Sequence, residues 1–250
     1  MLRKVQDLAK YKSRRILRDF AISRQAKTPW MREINECQNE VANLNPHPNY
    51  LDHYRSQEKF YWINIPNWIR EDASKNKVHR SLDIGCAYGT LALYCKKLFE
   101  CDVYALDYVD TYLSQALVKK YGFHFDVNNI ELDSFPWDVK FDVITFTEVL
   151  EHLNFNPVPT LKKIRNLLSE NGRLYLSTPD AAQWGRVTKY YGSLGEMPCP
   201  QKGLQPIDDH VYQYTKKELL TVLEEADLKV ERFGYSPGVA SRHFNLTLKC

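Results

Sequence analysis

No stretch of this 250-residue sequence approaches the roughly 18 consecutive apolar residues that a membrane-crossing helix needs. A helical integral membrane protein is thereby excluded. The opening residues, MLRKVQDLAKYK, lack the apolar core and small-residue cleavage site of a secretory signal, so the expected compartment is the cytoplasm. Cysteine is sparse and follows no metal-binding pattern: Cys37, Cys86, Cys95, Cys101, Cys199 and Cys250 include no C-x-x-C pair. Free thiols are expected in place of a disulfide frame or a zinc site. Acidic residues are scarce only at the start, where residues 1–32 carry ten Lys/Arg against two acids. That arm has a local charge of +8 in a chain whose net charge is +3, which leaves −5 for the rest.

What is present is the composition of an ordinary globular protein, 44% hydrophobic and 26% charged. The length suits one large α/β domain with additions. The expected division is a helical extension over residues 1–75 and a main domain over 76–250. On a helical wheel of residues 2–20, Leu2, Val5, Ala9, Ile16 and Phe20 share a face opposite Arg3, Lys4, Lys10, Arg14, Arg15 and Arg18. Such a basic amphipathic helix suits packing on the body, or contact with an anionic membrane surface or RNA. The aromatic-rich stretch YLDHYRSQEKFYWINIPNWIRE (50–71) reads as helices covering something apolar.

From residue 79 short apolar runs alternate with helical stretches. RSLDI (80–84), DVYALD (102–107), FHFDV (123–127), FDVITF (141–146) and GRLYLST (172–178) predict strands. Helical patterns such as TLALYCKKLFE and PTLKKIRNLLSE separate them, which implies a parallel sheet with helices on both faces. KVERFGYS (229–236) and HFNLTLK (243–249) follow the helix TKKELLTVLEEA and predict an antiparallel edge. Residues 181–210, with little periodicity, predict a substrate lid.

LDIGCAYGTLAL (82–93) sets Gly85 and Gly89 at the turn from the first strand to the first helix, where glycine lets backbone approach a ligand. Asp107 ends the next strand about twenty residues on, the position of a carboxylate that accepts both hydroxyls of a ribose. A dinucleotide or an adenosyl ligand fits both features. The ordered set D-I-G-C-A-Y-G, A-L-D, N-I-E-L-D-S-F-P-W, F-D-V-I-T-F-T-E-V-L-E-H-L and L-L-S-E-N-G-R-L-Y-L-S-T-P resembles the motifs of class I S-adenosylmethionine-dependent methyltransferases over residues 79–250. The resemblance implies a Rossmann-like, seven-stranded, mostly parallel sheet. It implies S-adenosylmethionine as cofactor, with Asp83, Gly85, Cys86 and Gly89 around the methionine moiety and Asp107 on the ribose. Tyr108 and Thr147 complete the cofactor-facing set, and Asn129 and Ile130 are implied at the adenine. Ala87 stands where the family usually has a middle glycine, and Asn129 where an Asp is common.

Directly after the fourth strand comes E-V-L-E-H-L (148–153). If Thr147–Leu153 begins a helix, Glu148, Glu151 and His152 fall at i, i+3 and i+4 and project from one face. Two carboxylates and an imidazole suit a divalent cation, Mg²⁺, Mn²⁺, Zn²⁺ or Fe²⁺. The stretch IDDHVYQYTKKEL offers His210 as a further ligand, with Asp208 and Asp209 before it. E-x-x-E-H with a distant histidine resembles the metal site of small-RNA 3′-terminal 2′-O-methyltransferases and is similar to that of ubiquinone-pathway O-methyltransferases. That resemblance implies Glu148, Glu151, His152 and His210 as metal ligands. E-H-L (151–153) also follows this strand in methyltransferases that need no metal, where the glutamate and histidine line the site or cap a helix; without metal, His152 or His210 would act as general base.

The layout most resembles methyltransferases of surface-polysaccharide or natural-product glycan pathways, which implies a sugar or other small vicinal-diol acceptor. Trp30, Trp62, Trp68, Trp184, Tyr190 and Tyr191 are candidates for stacking on sugar rings, or for core. An RNA-terminal enzyme using the basic arm on phosphates is the second reading, and a non-catalytic methyltransferase-like binding subunit the third.

Overall fold

Strands covered on both faces need apolar residues at successive positions, and the central strands have them. In the computed structural model, which describes residues 16, 20, 23, 28–184, 190–204, 206–239 and 241–250, these runs form one seven-stranded sheet. Arg80–Ile84 (β1), Asp102–Asp107 (β2), His124–Val127 (β3), Phe141–Thr147 (β4) and Leu168–Pro179 (β5) pair in parallel. Lys229–Ser236 (β6) and His243–Lys249 (β7) are antiparallel, and the order is β3-β2-β1-β4-β5-β7-β6. This is the expected mostly parallel, Rossmann-like sheet with an antiparallel edge.

Pro29–Leu44 (α1), a π-helical turn at Tyr50–Tyr54, Arg55–Tyr61 (α2) and Ile65–Ala73 (α3) precede the sheet. Thr90–Phe99 (α4), Gln115–Tyr121 (α5) and Pro157–Arg165 (α6) connect parallel strands, Ala181–Trp184 (α7) opens the insertion, and Lys216–Glu225 (α8) leads to β6. The expected helix 159–170 stops early because Leu168 already pairs with Phe141 as the start of β5. Most of the basic amphipathic arm lies outside the described residues.

Alternation along each strand sends neighbours to opposite faces, so the sheet carries two cores. On one, Ile144, Phe146, Leu174 and Leu246 meet Leu161 and Ile164 of α6 and Leu219 and Val222 of α8. On the other, Val103, Ala105, Val143 and Tyr175 meet Leu91 and Leu93 of α4 together with Ile34 of α1 and Ile69 of α3. The N-terminal helices therefore complete a face of the main sheet. Trp30 and Trp62 are buried in that core, which removes them from the candidate sugar platforms. Trp68 packs partly buried at its margin, against Gly234, and the Trp184 side chain lies outside the described residues.

Buried polar pairs fasten this face. Asp72 accepts from the Tyr175 hydroxyl at 2.9 Å and from Arg232 at 2.6 and 3.1 Å, joining α3 to β5 and β6. Glu58 of α2, only 3% exposed, accepts from Gln38 Nε2 (2.7 Å), Thr90 Oγ1 (2.9 Å) and Tyr50 Oη (3.3 Å). One carboxylate thus ties α1, the π-helical turn and the first residue of α4 together. Burial pushes this carboxyl from 4.5 up to about 7, against the three donors that favour its ionised form. A folded value above the unfolded one means the fold holds the proton more tightly. The stability this group contributes is full below about pH 4.5 and lost as pH rises through about 7. Urea midpoints should therefore fall between about pH 5 and about pH 8 by the equivalent of up to ~3 kcal/mol from this group. Glu58→Gln should remove that part of the pH dependence.

Candidate active site

The chain leaves β1 through a turn that ordinary residues disfavour. Gly85, Ala87 and Gly89 all have positive φ, at 69°, 44° and 84°. A Cβ on Gly85 would lie 2.2 Å from Val149 Cγ2, and one on Gly89 would lie 2.6 Å from Leu113 Cδ1, so both positions also need glycine for space. The turn is stitched to the next strand: Gly85 N and Cys86 N donate to the Leu106 carbonyl at 2.8 and 3.2 Å, and Ala87 N donates to Asp107 Oδ2 at 2.8 Å. The other oxygen of Asp107 accepts from Val109 N at 3.3 Å, and burial raises the carboxyl above its ordinary range. Asp107 is therefore fixed at the end of β2 beside the glycine turn, with Tyr108 exposed next to it.

Asp83 does something the sequence did not announce. Thr145 Oγ1 donates to one of its oxygens at 2.6 Å and Ala92 N to the other at 3.1 Å, and burial raises it to about 6. Its carboxylate locks β1 to β4 and to α4, and the cofactor turn is held from below. Asn129 uses its side-chain oxygen on Glu131 N (3.0 Å) and Leu132 N (3.3 Å). That shapes a turn in which Ile130 is buried and leaves the amide N–H groups for a ligand.

The acidic cluster does not sit on an α-helix. β4 runs through Thr147, Glu148 then takes φ = 57°, and Leu150–His152 form a single 3₁₀ turn. The i, i+3, i+4 face is replaced by a tighter geometry. Glu148 accepts from Ser177 Oγ at 2.7 Å, and its other oxygen lies 2.7 Å from His243 Nδ1. Glu151 is fully buried; Thr178 Oγ1 donates to Oε2 at 2.9 Å, while Oε1 has no hydrogen-bond partner among the described residues. Burial, then the neighbouring Glu148, drives the Glu151 carboxyl well above its ordinary range. His152 Nδ1 lies 2.9 Å from the Asp209 carbonyl, which can only accept, so Nδ1 carries the proton and Nε2 keeps its lone pair. The rings of His152 and His210 meet edge to face at 4.7 Å. Burial, then His152, lowers the His210 pKa and keeps that ring neutral.

Glu151, His152 and His210 each offer a ligand atom within 4.8 Å of the others, and Glu148 lies on the flank of that triad, accepting from Ser177 Oγ with His243 Nδ1 at 2.7 Å from its other oxygen. His243, Ser177 and Thr178 were not singled out from sequence. The hydroxyls sit in the S-T of L-S-T-P, and His243 is a polar residue opening an apolar strand, but no spacing rule joins residue 148 to residue 243. Asp209 turns its carboxylate to Tyr190 Oη (3.1 Å) and its own chain, at His210 N (2.8 Å).

A methyltransferase domain model matches residues 30–232. An S-adenosylmethionine-dependent methyltransferase from Clostridium acetobutylicum ATCC 824 superposes with a TM-score of 0.57 at 16% identity, covering 85% of this chain and 98% of that one. Magnesium protoporphyrin IX methyltransferase from Synechocystis PCC 6803, with bound SAH, gives 0.57 at 14% identity over 95% and 99% of the two chains. A Burkholderia thailandensis 1,6-didemethyltoxoflavin-N1-methyltransferase with bound S-adenosylhomocysteine gives 0.56 at 17% identity over 85% of each. No curated protein matches the sequence. At such identities the solved structures speak for the fold, while the domain match spans most of the chain: the protein belongs to the methyltransferase domain family.

Proposed function

We propose that the enzyme methylates one hydroxyl of a vicinal diol on a sugar or glycan, with a divalent cation held by Glu148, Glu151, His152 and His210. One observation carries the reading: among the described residues Glu151 Oε1 is buried without a hydrogen-bond partner, in a triad whose ligand atoms lie within 4.8 Å of one another. A buried carboxylate oxygen in that position needs a proton or a cation. The donor set of carboxylate and neutral imidazole fits a cation of intermediate hardness.

When bound, S-adenosylmethionine supplies the electrophilic methyl, and the cation would supply the charge that acidifies a chelated hydroxyl. The chain's own residues do the rest. Asp107 and the glycine turn fix the donor half at the ends of β1 and β2, and the Asn129–Ile130 turn borders the adenine end. His152 is held in one tautomer by the Asp209 carbonyl. The half-buried His210 enters from the end of the insertion, where Val211 N and Tyr212 N donate to the Glu151 carbonyl and hold it beside the other ligands. Tyr190, exposed on the insertion and bonded to Asp209, provides a flat apolar face at the rim, where a sugar ring can stack.

Asp107→Ala should weaken S-adenosylhomocysteine binding roughly tenfold or more by calorimetry, because ribose hydroxyls lose a charged acceptor. Unchanged affinity would contradict the cofactor assignment. Chelation should stop methyl transfer to a vicinal-diol sugar and added Mn²⁺ or Mg²⁺ should restore it, while the matching deoxy sugar stays unmethylated. Glu151→Gln should abolish Mn²⁺ binding and turnover and leave S-adenosylhomocysteine affinity within about twofold. Full activity in chelator would point instead to His152 or His210 as a metal-free base.

A further inference from the structure

The segment that delivers His210 carries a polar residue for which the surrounding core supplies no need. Residues 211–214 are held at both ends: Val211 N and Tyr212 N donate to the Glu151 carbonyl, and the Tyr214 carbonyl accepts from Ala181 N at 3.0 Å. Val211, Tyr212 and Tyr214 all enter the hydrophobic core. Gln213 stands among them only 4% exposed, and a carboxamide buried there costs free energy that an apolar residue would not unless it is hydrogen-bonded. Its side chain turns to His210: Nε2 lies 3.3 Å from the ring's Nδ1, and Oε1 is buried with no hydrogen-bond partner among the described residues.

His152 and His210 are thus each gripped at Nδ1, which leaves Nε2 of each ring for the triad with Glu151. The two grips differ chemically. The Asp209 carbonyl only accepts, so it fixes His152 with the proton on Nδ1. A carboxamide has a donor at one end and an acceptor at the other, and a half-turn about its last torsion exchanges them with no other heavy atom moving. With the Gln213 N–H toward His210, the imidazole proton belongs on the ring's Nε2 and blocks coordination there. With Oε1 toward His210, the proton belongs on Nδ1 and the Nε2 lone pair is available to a cation. The second arrangement also gives the buried Oε1 the partner it lacks.

We infer that Gln213 is the positioning residue that selects the His210 tautomer: in the ligating state its Oε1 accepts from Nδ1–H, and the Nε2 lone pair faces the triad. The inference rests on the cation reading of the site and adds the residue that makes His210 competent in it. Outer partners of this kind commonly govern about ten- to hundredfold in metal affinity. Here ligand and partner lie three residues apart on one pinned segment, so the same backbone bonds to the Glu151 carbonyl deliver both.

Two variants of the full chain test it. Gln213→Glu keeps the shape and, ionised, only accepts; Gln213→Met keeps a similar length and offers no strong acceptor. With ¹⁵N-labelled histidine and no added cation, long-range proton–nitrogen correlation spectra should show His210 protonated on Nδ1 in Gln213→Glu and on Nε2, toward Glu151, in Gln213→Met. By calorimetry, Mn²⁺ affinity should fall roughly ten- to hundredfold in Gln213→Met and be kept or raised in Gln213→Glu. S-adenosylhomocysteine affinity should stay within about twofold in both, which also reports that each variant is folded. The same protonated nitrogen in both variants, or wild-type Mn²⁺ affinity in Gln213→Met, would overturn the inference and make Gln213 a packing residue. Failure of the wild type to bind Mn²⁺ would sink the cation reading instead, and the tautomer spectra would still decide the role of Gln213.

Discussion

Two carboxylates buried within one turn of chain are the constraint around which this molecule is arranged. Glu148 and Glu151 follow β4 directly, and like charges so close in a low-dielectric setting repel strongly unless donors or cations neutralise them. The polar groups that face them come from two other strands, with Ser177 and Thr178 as the hydrogen-bond donors. Ser177 and Thr178 sit at the end of β5, and His243 opens β7, whose antiparallel register places it opposite Pro179. The order β4-β5-β7 is thus what allows residues 148, 177 and 243 to share a site. One oxygen, Glu151 Oε1, is left over, and the two histidines gather beside it.

The donor half of the site is governed by a different physics. Its shape depends on backbone geometry: positive φ at three positions, a Cβ-free contact with Val149, and carbonyl and carboxylate acceptors on β2. Side chains such as Asp83 act beneath it as fasteners. The contact of Gly85 with Val149 joins the halves, because Val149 lies between the two acidic residues. Enlarging residue 85 would displace the acidic turn along with the cofactor turn. The geometry of the glycine turn and that of the acidic turn are mechanically coupled through that one contact.

Strand positions were legible because their signal is local. KVERFGYS and HFNLTLK correspond residue for residue to β6 and β7, and the glycine turn with Asp107 could be placed from spacing alone. The site was legible as a set of residue types and not as a geometry. Asp83 reads as a cofactor contact, yet its partners Thr145 and Ala92 are named only by the fold. His243 was invisible because its role depends on strand order, which no spacing encodes. The aromatics of residues 50–71 read equally as core or platform, and burial assigns Trp62 to core.

The expected helix from Thr147 did not form, and that outcome is the most informative. An α-helix from Thr147 would send the Glu151 carbonyl to the N–H of residue 155. In the 3₁₀ turn that carbonyl is free, and it accepts from both Val211 N (2.8 Å) and Tyr212 N (3.1 Å), while Phe155 N donates to Glu131 instead at 2.9 Å. The end of the insertion is thereby pinned to the acidic turn, with His210 adjacent to the pinned residues and the Asp209 carbonyl against His152. The left-handed φ at Glu148 is what starts this sequence, since it ends β4 without launching a helix. Had the helix formed, Glu148, Glu151 and His152 would share a face, but the backbone acceptor that holds His210 beside them would be lost.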